Sequence, residues 1–223
     1  MQRLRLPMKV WDAPIRLFHW GVVLLIAVSY VSISEGWMRV HLISGYTMLG
    51  ALVFRLVWGF SGSDTARFGR FLKNPITGLT HLTHILRREE DREIGHNAAG
   101  GWMVLLMLLL LAVQVATGLC ANTDDDYMIN GPLAKYVGKH LSDRLSGIHA
   151  FNFNLILGVI ALHLLAVVAY AVFKGQDLVR PMITGKKRLP GAMRAPRLAS
   201  PLRAIVVGLV AAIIAAAVAN LPQ

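Results

Sequence analysis

GIHAFNFNLILGVIALHLLAVVAY, residues 147–170, decides how this chain must fold. It holds no Asp, Glu, Lys or Arg. It is also long enough for a transmembrane helix, which takes about 20 apolar residues. Within it stand His149 and His163, fourteen residues apart. Fourteen residues is close to four helical turns, so both imidazoles leave one face, roughly 21 Å apart along the axis. An ionisable group inside a spanning helix is costly and marks a functional site by default. Two on one stripe, one toward each membrane surface, point to two stacked cofactor sites whose other partners lie elsewhere in the chain.

Four more apolar runs surround this one, at 17–33, 41–60, 102–121 and 204–219; the run built on the opening stretch covers 148–173. The chain is 55% hydrophobic, with a mean hydropathy of +0.54. The expected fold is all-α: an integral membrane helical bundle with a four-helix core and a fifth, C-terminal spanning helix. No long two-residue alternation suggests a β-barrel. The expected organisation is a transmembrane domain over 1–180, a basic linker over 181–203 and a last spanning helix over 204–223. The first apolar run follows a basic start but lacks a small-residue cleavage site, so it reads as a retained helix.

The net charge of +11 would suit nucleic acid, but its distribution does not. Lys and Arg gather before the first span, between the second and third, and between the fourth and fifth, whereas the alternate connections are poor in them. This positive-inside pattern expects a cytoplasmic N-terminus and an external C-terminus in a bacterial inner membrane. The excess charge then faces anionic lipid headgroups. Cys120 is the one cysteine. It excludes an intramolecular disulfide, a covalent CxxCH haem and a cysteine-ligated iron–sulfur cluster, and reads as a small apolar residue.

Further polar residues sit in or beside the spans. His19 enters the first span on the N-terminal side, after Asp12 and Pro14, which read as helix-start chemistry. His41 opens the second span, and Arg55 lies near its far end. Arg55 reads either as snorkelling to lipid phosphate or as a bridge to a buried anion such as a haem propionate; Arg16 invites the same second reading. His96 precedes the third span as a cofactor-edge contact or a helix-start residue, with Asn97 as cap. Gln114 reads as an interhelical hydrogen-bonder. His81 and His84 form an HxxH pair in an amphipathic connecting segment and read as a solvated face.

Odd spans run outward and even spans inward. By depth, His41 pairs with His149 toward the outside, and His19 with His163 toward the inside. Two His–His pairs fit bis-histidine ligation of two b-type haems. Full axial occupation favours electron transfer over oxygen chemistry.

RLFHW on the first span, HLISGY and FRLVWGF around the second, GHNAAGGW before the third and IHAFNFNLILGVIALH on the fourth carry a family likeness. Over most of 10–180 the chain resembles the bacterial cytochrome b561 family, grouped with the b-type cytochrome subunits of nickel–iron hydrogenases. The resemblance implies that His19, His41, His149 and His163 are the haem-iron ligands. It also implies electron transfer between ubiquinone or menaquinone and a partner such as a hydrogenase or a periplasmic c-type cytochrome. A different class is a self-sufficient superoxide:quinone oxidoreductase, in which Lys135, Lys139 and Arg144 attract superoxide against the opposing Asp124, Asp125, Asp126 and Asp143. A transporter is disfavoured by the lack of matched broken helices.

Overall fold

The computed structural model describes residues 5–78, 93–122, 130–191 and 193–222. His81, His84, Asp124, Asp125 and Asp126 lie outside them. Among the described residues five helices are long and apolar enough to cross a membrane. They are α1 (Ala13–Ser34), α2 (Met38–Ser61), α4 (Ala98–Leu119), α6 (Lys139–Ala169) and α8 (Pro201–Ala219). α6 continues into a π-helical turn, Tyr170–Lys174. Short helices lie between them: α3 (Phe68–Phe71), α5 (Ala134–Val137) and α7 (Val179–Thr184). Large apolar side chains such as Leu24, Ile43, Leu109, Leu165 and Ile213 are exposed along the long helices. In a membrane these are the surfaces that meet lipid, where exposure of apolar groups carries no hydrophobic cost.

Each long helix has a local reason to start where it does. The Asp12 carboxylate accepts the Ile15 amide at 2.8 Å and so caps α1, with Pro14 in the first turn, where its missing N–H costs nothing. The second Asp12 oxygen accepts the Trp58 indole N–H at 3.0 Å. Asn97 caps α4 by accepting the Gly100 amide at 2.7 Å, and its own amide donates to the Tyr170 hydroxyl at 2.7 Å. Gly138, at φ 77°, turns the chain into α6. α6 therefore begins nine residues before the apolar run at 148, because a helix can project beyond the bilayer on polar residues such as Lys139 and Asp143.

The chain divides into two compact units. One holds Met1–Phe18, Arg55–Leu106 and Ile160–Ala204; the other holds His19–Phe54, Met107–Val159 and Ile205–Gln223. The first unit collects the N-terminal ends of α1, α4 and α8 and the C-terminal ends of α2 and α6, as an up-and-down order of spans requires. Hydrogen bonds tie its connections together. The Val10 and Trp11 amides donate to the Gly185 carbonyl. Thr65 donates to the Val10 carbonyl, Ala199 to Ser63 Oγ, and the Arg203 guanidinium to the Ser61 carbonyl. Two short strands, β1 (Arg5–Lys9) and β2 (Lys186–Pro190), pair antiparallel here. The segment 181–203, expected as a linker, thus contributes the end of α7 and the whole of β2.

In the second unit α8 lies against α2. A Cβ on Gly50 would stand 3.3 Å from Ala215 Cβ and 3.5 Å from the Ala211 carbonyl oxygen. Small residues on both helices permit this approach. At the α4–α6 connection, Ser142 donates to the Cys120 carbonyl and the Asn122 amide donates to Ser146 Oγ.

Candidate metal centre

α2 and α6 bring His41 and His149 together. Their ring centroids are 6.2 Å apart, with the ring planes at 78°. A metal takes imidazole nitrogen at about 2 Å. Two rings facing one ion, each with its centre about 1 Å behind the nitrogen, stand about 6 Å apart by the same arithmetic. The spacing therefore admits one metal ion between the rings.

The main chain fixes which nitrogen each ring offers. His41 Nδ1 lies 3.0 Å from the Ser29 carbonyl oxygen. His149 Nδ1 lies 2.8 Å from the Gln114 carbonyl oxygen. A carbonyl only accepts, so each Nδ1 carries the proton and each Nε2 keeps its lone pair, the orientation that metal-bound imidazoles adopt. The Gln114 side-chain amide stands 3.2 Å from His149 Nε2. That amide is itself oriented by buried Asn152, which donates to Gln114 Oε1 at 2.7 Å and to the Leu110 carbonyl at 2.9 Å. Space beside His149 comes from Gly118, where a Cβ would sit 2.7 Å from the ring's Cε1.

Among the described residues no three His, Cys, Asp or Glu side chains gather into a metal cage. A metal held by His41 and His149 with no third side chain would need a group that supplies its remaining ligands, as the porphyrin of a haem does. The two imidazoles, with their Nε2 lone pairs and spacing, fit the axial positions of such a group.

The other expected residues are placed less completely. His19 is half-buried on α1, with its ring 4.9 Å from Trp20 in an edge arrangement. His163 is half-buried on α6. They belong to different units, and their pairing rests on helical position alone.

Arg55 and His96 join one aromatic cluster in the first unit. Arg55 is buried, 3% exposed. Its guanidinium carbon lies 4.7 Å from the Phe68 ring centre and 6.0 Å from that of Phe71. Phe71 in turn lies 5.0 Å from the His96 ring, and Trp11 lies 4.7 Å from it. Asp12 supplies an attractive charge to Arg55, but among the described residues Arg55 Nη1 has no hydrogen-bond partner. A buried guanidinium N–H with no acceptor is costly, so this cation is suited to a further anionic group. Arg16 instead donates to the Ile183 carbonyl, tying α1 to the end of α7. Of the three cations considered for superoxide, Lys139 pairs with Asp143 at 3.8 Å and Lys135 rests against Tyr136.

The groups that orient the histidines were not foreseen. Gln114 reads from the sequence as an interhelical hydrogen-bonder, and its side chain does bond α6 through Asn152, but Ser29, the Gln114 carbonyl and Gly118 carry no motif. Their one sequence signal is a small or polar residue inside an apolar run.

The chain is 22% identical over 212 residues to the "Probable Ni/Fe-hydrogenase B-type cytochrome subunit" of Rhizobium leguminosarum bv. viciae, covering 80% of this chain and 87% of that protein. No solved structure is significantly similar to it. Residues 10–185 match the family model described as prokaryotic cytochrome b561. That match takes in all four histidines and the three spans that carry them, and the chain belongs to the prokaryotic cytochrome b561 family, a bacterial membrane cytochrome that carries electrons on haem b.

Proposed function

We propose that this cytochrome holds two haems b, one between His41 and His149 and one between His19 and His163, and passes electrons between membrane quinone and a redox partner at the opposite surface. The observation that carries the proposal is the His41–His149 pair, with its 6.2 Å spacing and both Nδ1 atoms committed to main-chain carbonyls. The second pair follows from the fourteen-residue step along α6, which repeats the same helix face at a second depth.

Haem b supplies a one-electron couple at its iron. The protein's part is to present Nε2 of each ligand histidine, to hold the His41 and His149 rings by their Nδ1–H bonds and to keep water from the metal with an apolar shell. Arg55, with His96 and Arg16 beside the same membrane surface, would offset the negative charge of haem carboxylates. By charge distribution the N-terminus is cytoplasmic and the C-terminus periplasmic. The partner is a c-type cytochrome or a hydrogenase, the second by analogy with the Rhizobium protein's name. Residues 1–180 form the haem-binding domain, 181–203 the connecting segment and 204–223 the added helix.

Adding quinol to purified, oxidised protein tests the electron path. Reduction of the haem band, in proportion to quinol consumed, supports it. A haem band that responds to dithionite but to no quinol would sink the quinone assignment.

A further inference from the structure

We infer that the β1–β2 sheet is a binding face for the phosphate headgroups of anionic phospholipids at the membrane surface where α1 begins. The register places Lys9 opposite Lys186, Pro7 opposite Arg188 and Arg5 opposite Pro190. Directly opposed residues of an antiparallel pair share a face, so Arg5, Lys9, Lys186 and Arg188 stand together on one side. All four are exposed. The other side carries Leu6, Met8, Lys187 and Leu189. There Leu189 is fully buried and Lys187 donates to the Glu93 carbonyl. The sheet is thus anchored by one face and presents four cations on the other.

Among the described residues none of these four cations has a carboxylate partner. Like charges directly opposed across strands are destabilising, so the Lys9–Lys186 pair is held at a cost that a bound anion offsets. The location selects the anion. Lys9 stands four positions before Ala13, the first residue of α1, and Leu17, one turn on, is already an exposed apolar side chain. The cationic face therefore lies at headgroup depth. Two segments far apart in sequence build it, so it is a property of the fold and not of one basic run. It does not depend on the electron-transfer proposal.

The test uses the full chain reconstituted in phosphatidylcholine with trace spin-labelled phosphatidylglycerol or spin-labelled phosphatidylcholine. The fraction of each label held immobile at the protein gives a preference ratio. The expected result is a preference for phosphatidylglycerol that weakens as salt rises. The triple variant Lys9→Gln, Lys186→Gln, Arg188→Gln should lose up to about fivefold of that preference per cation. A control with the same charge change, Arg39→Gln, Lys135→Gln, Arg144→Gln, should keep it. If the triple variant does not accumulate, Lys9→Gln and Lys186→Gln made singly should each lower the ratio. An unchanged ratio in the sheet variants, or an equal loss in the control, overturns the proposal. So does inorganic phosphate that abolishes the preference at constant ionic strength, which would mean a site for free phosphate.

Discussion

His41 and His149 are defined as much by what holds Nδ1 as by where Nε2 points. Because Gln114 anchors His149 through its backbone carbonyl, Gln114→Leu should keep the His149 ring in place while removing the side-chain amide and the acceptor it offers to Asn152. Gly118 allows no such latitude. Gly118→Val puts carbon where the His149 ring lies. It should cut haem content toward one per chain while leaving the second site filled, read as the haem-to-protein ratio of the purified variant; full occupancy would show that the ring can move aside. In the proposed two-haem arrangement Arg55 acts through charge. A buried cation near a haem favours the more negative, reduced state. Arg55→Gln should therefore lower the potential of the haem on its side and leave the other unchanged, and a potentiometric titration with no downward shift would assign Arg55 to packing alone. Cys120, just beyond α4, has its thiol pushed up by burial, which disfavours the reactive thiolate.

At the scale of elements, apolar runs fixed the spans to within a few residues at most ends, because the bilayer leaves little choice of length or secondary structure. Where polar residues extend a helix into water the run says nothing, which is why the start of α6 at Lys139 was not legible. β1 and β2 were invisible for another reason: five-residue strands far apart in sequence have no local signal. Asp12 was legible as a helix start but not as the acceptor for Trp58. Asp12→Ala removes a cap and one buried bond together and should cost about 1–3 kcal/mol, measured as a lower Tm; an unchanged Tm would mean that water replaces both bonds. Gly50→Leu should drive α8 from α2 and lower Tm without changing haem content, because Gly50 meets Ala211 and Ala215 of α8, a helix that carries none of the four histidines.

For the molecule as a whole, histidine spacing and span direction were enough to propose both ligand pairs. Depth is simple arithmetic on a helix, and four histidines fell into two depths. The orienting carbonyls were not legible, since they depend on which helices are neighbours. The charge pattern also anticipated that the N-terminal segment would gather with the second and fourth connections, and hydrogen bonds tie these together. The most direct test of the two-haem arrangement is the haem b content per chain of the wild-type protein and of His41→Ala. Two haems falling to one, with the survivor keeping a bis-histidine spectrum, is the expected result. One haem in the wild type, or no loss in His41→Ala, would contradict it.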